Sequence, residues 1–240
     1  IKNLKENITQ LGRQLANMMA RNINLVSKKP KRIVILGSKG FVALAVQKKL
    51  IQDKINFISV GKKDIDLINQ DSVKKLNSLI EDDDTILFIS AKAPVKNYEM
   101  FDENIKICKN VCKAIEDKKI NHLLYVSSDA VYRDSNKKLS EKSCAEPGSL
   151  HGLMHIVREK LISQFYDGSL CIFRPTLIYG PSDPHNGYGP NMFIRKIIKN
   201  ENIELFGKGE ELRDHVFIDD VSDVIYRSLS YKTEGILNIV

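Results

Sequence analysis

Two histidines one helical turn apart, in Leu150-His151-Gly152-Leu153-Met154-His155, follow the stretch Val126-Ser127-Ser128-Asp129-Ala130-Val131-Tyr132. Side chains four apart on a helix share a face, so both imidazoles can address one substrate. Imidazole has an ordinary pKa of about 6.5 and exchanges protons in both directions near neutrality. The set suits acid–base work on a hydroxyl or carbonyl group. The same His-x-x-x-His spacing can instead hold zinc, if Cys144, Asp183 or His185 brings a third ligand across a loop.

Such a site needs a scaffold, and the chain supplies alternating elements. Apolar runs predict strands at Ile33-Leu36, Phe57-Val60, Thr85-Ser90, Leu123-Ser127 and Leu170-Arg174. Between them, amphipathic spacing predicts helices at Phe41-Gln52, Asp71-Ile80, Tyr98-Asp117 and Leu150-Phe165. Strand–helix alternation builds an α/β, doubly wound parallel Rossmann sheet. The first strand feeds Gly37-Ser38-Lys39-Gly40-Phe41-Val42-Ala43, where glycine lets backbone approach a pyrophosphate resting on a helix N-terminus. A tight turn without ligand would use the same glycines.

Taken together, the Gly37 turn, Ser127-Ser128-Asp129-Ala130-Val131-Tyr132, Phe173-Arg174-Pro175-Thr176-Leu177-Ile178-Tyr179-Gly180-Pro181 and Arg213-Asp214-His215-Val216-Phe217-Ile218-Asp219-Asp220-Val221 resemble, in order, the extended short-chain dehydrogenase/reductase family. Its members are NAD(P)-dependent epimerases, dehydratases and reductases of nucleotide sugars. The resemblance implies that Gly37, Ser38, Lys39, Gly40, Phe41, Val42, Ala91 and Pro175 hold the cofactor and that Asp66 serves the adenine edge. It also implies that the family's Tyr-x-x-x-Lys pair is replaced by His151 and His155, beside Ser128. An obligate cation is thereby lost, and no nearby lysine substitutes: Lys160 points elsewhere and Glu159 occupies the next turn. Arg213 is expected on a diphosphate, which a guanidinium fork matches; pairing with Asp214 or Glu211 is the alternative. Asp129, His185, Asn186 and Asn191 are candidate substrate contacts, the last three in a turn-rich loop whose Asn and Asp can also satisfy their own backbone. Lys62 and Lys63, at the exit of the second strand, tilt the NAD(H)-or-NADP(H) choice toward NADP(H), with Asp64 and Asp66 pulling the other way.

Three segments follow from this reading. Residues 1–30 form an amphipathic helix and a linker, residues 31–180 the dinucleotide-binding sheet, and residues 181–240 a small, short C-terminal substrate lobe interleaved with the last sheet elements. Helix residues Tyr98, Phe101, Ile105, Cys108, Cys112 and Ile115 make one apolar seam; the resemblance implies a homodimer contact there, and packing on the sheet explains the seam equally. With 240 residues, 42% hydrophobic and 28% charged, the composition fits a soluble enzyme, and cytoplasm is the expected location. Lysines scattered among Asp and Glu explain the net charge of +7 without a nucleic-acid stripe. No apolar stretch reaches the roughly 20 residues of a membrane span. The four cysteines lack zinc-finger spacing and read as reduced thiols.

Overall fold

A computed structural model describes residues 20–184, 189–205, 207–210 and 212–240. The strands are β1 (Arg21–Asn22), β2 (Ile33–Leu36), β3 (Phe57–Val60), β4 (Thr85–Phe88), β5 (His122–Val126), β6 (Leu170–Pro175), β7 (Leu177–Tyr179), β8 (His215–Phe217) and β9 (Thr233–Ile239). The helices are α1 (Phe41–Gln52), α2 (Ser72–Leu79), α3 (Tyr98–Ile115), α4 (Leu150–Phe165), α5 (Gly189–Ile198) and α6 (Ile218–Tyr231). Seven strands form one sheet in the order β1-β9-β6-β5-β4-β2-β3, parallel except for the β1–β9 pair. The fold is the expected doubly wound α/β sheet.

Strand alternation divides the core. Val34, Leu36, Ile86, Phe88, Leu123 and Tyr125 face the layer that holds α2, α3 and α4, whereas Ile33, Ile35, Leu87 and Leu124 face α1 and α6. Because both faces are covered, the central strands read as unbroken apolar runs. Helix starts follow local chemistry as well: Asn97 caps α3 by accepting from Met100 N at 3.0 Å, and Ser149 caps α4 by accepting from Gly152 N at 3.1 Å.

From β2 the chain crosses in one direction to β3, then returns past β2 to β4, which opens a crevice at the carboxyl ends of β2 and β4. Leu36 O accepts from both Ile89 N and Ser90 N, drawing the end of β4 against the Gly37 turn. The α4 helix approaches the sheet's carboxyl end equally closely. A Cβ on Gly152 would stand 1.9 Å from Ala130 O, so only glycine allows α4 to lie against the short 3-10 turn Asp129–Val131.

The N-terminal segment and the α3 seam find their places here. Within the segment 1–30, read as a helix and a linker, residues 21–30 run along the outer sheet edge: β1 pairs with β9, Asn24 N and Lys28 N donate to Tyr231 O and Ser230 O, and Pro30 is buried. This covers backbone that β9 would otherwise leave as an open edge. The helix expected within residues 1–18 lies outside the described residues. Within the α3 seam, Cys108, Cys112 and Ile115 pack in the domain's own core, while Tyr98 is 81% exposed. Beyond the main sheet, β7 and β8 form a separate parallel pair beside α5. No helix among the described residues is long and apolar enough to cross a membrane.

Burial also sets a pH dependence. His122 is completely buried, its Nδ1 lies 3.0 Å from both Ser169 O and Ser169 Oγ, and desolvation pushes its pKa down to about 4. The unfolded chain therefore binds a proton that the folded chain refuses. The stability tied to the neutral ring is complete above the ordinary pKa and is lost as pH falls toward about 4. Urea unfolding should show stability dropping by about 1.4 kcal/mol per pH unit below pH ~6.5 from this group alone, and His122→Asn should reduce that slope; a slope unchanged in the variant would refute the assignment.

Candidate active site

Gly37 ends β2 with φ +115°, and a Cβ there would sit 2.9 Å from Ser90 N, so the close approach of the two strand ends demands glycine. Gly40 differs. Its φ is −69°, and a Cβ would meet nothing nearer than Gly37 O at 3.7 Å. Among the described residues nothing fills the space in front of α1 at Gly40. Gly40 caps that helix without a side-chain hydrogen bond, and its first turn carries no acidic residue. Such an end favours an anion. Phe41 and Val42 are half-buried in this turn, Ala43 is fully buried against the sheet, and Lys39 is exposed.

Beside the turn lies a cleft of about 150 Å³ whose lining includes Gly37, Gly61, Lys62, Asp66, Ser90 and Ala91. Four of the residues expected at a cofactor therefore share one wall: Gly37, Lys62, Asp66 and Ala91. Ser38 sits next to it, so close that a Cβ on Gly61 would meet Ser38 Oγ at 2.3 Å. Asp66 accepts from Ile68 N at 3.2 Å, and its other oxygen lies 3.6 Å from Lys62 Nζ. Lys63 is exposed, and Pro175 is buried at the end of β6, away from the cleft lining.

The α4 helix brings His151 and His155 together edge to face, with ring centroids 4.8 Å apart. His155 is buried, and its Nδ1 lies 2.8 Å from Tyr125 Oη. Desolvation, followed by the nearby charges of Arg158 and His151, holds its pKa well below the usual imidazole value. The ring is thus neutral.

No lysine stands here, but an arginine that the sequence reading passed over occupies the next turn. Arg158, three residues beyond His155, is fully buried and stacks over Phe88 at 4.6 Å and Tyr125 at 5.0 Å. It donates to Ser90 O at 2.8 Å. Helical spacing from His151 and His155 would have found it, but an arginine reads as surface until burial is known.

Glu159 also turns inward. Arg174 donates to it through Nε at 2.9 Å and Nη2 at 2.5 Å, and Ser127 Oγ donates to it at 2.5 Å. Both members of the pair are about 4% exposed. Arg174 Nη1 also donates to Tyr132 Oη at 2.7 Å. Ser128 Oγ accepts from Ala130 N at 3.1 Å and donates to Asp129 Oδ1 at 3.2 Å. Burial raises the pKa of Asp129, while hydrogen bonds from Thr176, Ser128 and Ala130, with the charge of Arg213, act in the opposite direction.

The substrate-side expectations fare differently. Arg213 is half-exposed and lies 3.8 Å from Asp134 Oδ1, a partner further away in sequence than Asp214 or Glu211. Asn191 donates both amide hydrogens to the preceding turn, to Gly180 O at 3.0 Å and to Asp183 Oδ2 at 2.7 Å. His185 and Asn186 lie outside the described residues. Among the described residues no group of three or more His, Cys, Asp and Glu is placed to hold a metal ion.

Residues 33–239 match the model of the NAD dependent epimerase/dehydratase family. A Methanocaldococcus jannaschii protein provisionally named UDP-glucose 4-epimerase is 27% identical over 234 residues, covering 86% of this chain and 76% of that protein. Among solved structures, the UDP-N-acetylglucosamine 4-epimerase of Methanobrevibacter ruminantium, in complex with UDP-N-acetylmuramic acid, is similar with a TM-score of 0.74 at 21% identity, over 88% of this chain and 77% of that one. The UDP-glucose 4-epimerase of Thermus thermophilus, in complex with NAD, gives a TM-score of 0.73 at 20% identity, over 87% and 77%.

Glu159→Gln should expose how much the site depends on its buried ion pair. The change leaves the Arg174 guanidinium in a dry interior without its counter-charge, at an expected cost of about 3–5 kcal/mol. Urea unfolding at neutral pH measures it. A loss below about 1 kcal/mol, the range of exposed pairs, would contradict the role given to Glu159.

Proposed function

The chain belongs to the NAD dependent epimerase/dehydratase family, and we propose that this member is an NAD(P)-dependent epimerase, dehydratase or reductase of a nucleotide-linked sugar, with His151 as its acid–base. The observation that carries the reading is the juxtaposition at the carboxyl ends of the strands. There the Gly37 turn borders an open cleft, and Gly152 seats the first turn of α4 beside Ser128 and Asp129. The relatives' names support the substrate class.

The residues divide the work. Backbone N–H groups at the start of α1 hold the pyrophosphate of the dinucleotide, with Gly40 leaving room for it. Asp66 and Ala91 bound the adenosine end of the cleft. Because the Lys62 charge is already offset by Asp66, we read the cofactor as NAD(H), against the tilt of the two lysines taken alone. When bound, the nicotinamide ring supplies hydride exchange. His151 takes a proton from a sugar hydroxyl and returns it, Ser128 hydrogen-bonds the same oxygen, and Arg213 meets the diphosphate of the nucleotide. A second reading, a member that binds without turnover, draws on the neutrality of His155.

NMR of products from a panel of nucleotide sugars incubated with the protein and NAD or NADP separates the two readings. Conversion of at least one sugar is expected; dinucleotide binding without conversion establishes the silent member. Gly40→Asp should fold normally, since the protein has room for the side chain, and should abolish dinucleotide binding in calorimetry; undiminished affinity would place the cofactor elsewhere. His151→Phe should lower turnover by about 10²–10⁴-fold, the usual contribution of a positioned acid–base, while dinucleotide affinity stays near native. Turnover retained in full would remove His151 from the chemistry.

A further inference from the structure

Arg158 is completely buried, yet its guanidinium meets no carboxylate among the described residues. It lies over the faces of Phe88 and Tyr125, and its Nη atoms donate to Ser90 O at 2.8 Å, Asn104 Oδ1 at 3.5 Å and Met154 Sδ at 3.8 Å. Its Nε, also buried, has no hydrogen-bond partner. The neighbouring carboxylate, Glu159, is committed to Arg174. Desolvating an ion without an opposite charge is costly, so a guanidinium held this way lacks something that completes it.

Its partners place the charge. Ser90 lines the cleft beside Gly37, and Ser90 N donates to Leu36 O at the end of β2. Asn104 grips the next part of the same lining: its Oδ1 accepts from Lys92 N and its Nδ2 donates to Lys92 O, both at 2.9 Å. Arg158 therefore sits directly behind the wall formed by residues 90–92. The other cations of this region are offset or wet. Lys62 faces Asp66 at 3.6 Å, Lys92 pairs with Glu103, and Lys39 and Lys63 are exposed, where water weakens their fields. A buried charge is screened far less.

We propose that Arg158 is a positioning residue for the diphosphate of the bound dinucleotide, acting through the 90–92 wall without touching the ligand as the fixed charge that makes this cleft favour an anion. The inference rests on the proposed function, which puts the dinucleotide there. An anion arriving in the cleft supplies the opposite charge that the core withholds from Arg158, so the cost of burying the guanidinium is recovered on binding.

Calorimetry with ADP and adenosine separates charge from shape, because only ADP carries the diphosphate. Arg158→Gln keeps an N–H donor for Ser90 O and removes the charge. In that variant ADP affinity should fall about tenfold, the scale of one poorly screened charge, while adenosine stays within about twofold of native. NAD should follow ADP. In the native protein the preference for ADP over adenosine should persist at about 0.5 M salt, where exposed lysines are screened.

Native ADP affinity in a folded Arg158→Gln overturns the proposal. Equal losses of ADP and adenosine overturn it too, since they would make Arg158 a brace for the wall and nothing more. If Arg158→Gln does not fold, Arg158→Met, which keeps an unbranched chain against the two rings, is read in the same way. A native ADP preference that vanishes in salt assigns the charge to the exposed lysines and refutes Arg158 without any variant. Failure of the functional reading looks different: the native protein then binds neither ADP nor NAD.

Discussion

The buried ion pair between Glu159 and Arg174 constrains more of this molecule than any other single interaction. It ties α4 to β6, takes in Ser127 at the end of β5, and reaches β9 through Tyr132, whose hydroxyl donates to Asn238 Oδ1 at 3.0 Å. A pair so thoroughly desolvated gains little net stability over an apolar contact of the same size, yet removing one partner strands the other. Its value here is geometric. Two parallel hydrogen bonds between planar groups fix how α4 is rotated about its axis. That rotation determines that His155 meets Tyr125 and that Gly152 meets the turn after β5.

A second consequence concerns charge. Arg158 and Arg174 are both buried on the same side of the sheet, but only Arg174 has a carboxylate. Arg158 is held instead by the faces of Phe88 and Tyr125, by Ser90 O and, at 3.5 Å, by Asn104 Oδ1. A guanidinium tolerates such surroundings better than an ammonium because it is weakly hydrated and stacks on aromatic rings. Its charge lies beneath Ser90, a residue of the cleft lining, and is not neutralised by any ion pair among the described residues. The site therefore keeps a positive centre, on the same helix as the histidines but tucked under the floor of the cleft.

Much of the scaffold was legible in the chain. The runs Ile33–Leu36, Thr85–Phe88 and Leu170–Pro175 are strands within a residue or two of the reading, because buried parallel strands are continuously apolar, and the partly buried edge strand Phe57–Val60 matches as well. The Gly37 turn was legible for a local reason too: a glycine between a strand and a helix marks a backbone angle or an approach that other residues resist. Harder to see were Tyr125 and Ser127. Two residues apart in β5 and its continuation, they share one face and both reach α4, but an apolar strand hides which of its polar atoms will find a partner. The place of residues 21–30 was hidden because they cover the edge of β9, a strand more than two hundred residues away.

The sequence by itself determined the order of elements, the turn at the crevice and the placing of His151 and His155 on one helical face, all of which depend on neighbours a few residues apart. Only the tertiary structure decided what those histidines are. Whether His155 is charged depends on burial and on Arg158, and its Nδ1 meets the hydroxyl of Tyr125, thirty residues earlier. Protonation is set by solvent exclusion and by the charges that folding brings near, and neither is a property of a residue or of its spacing along the chain.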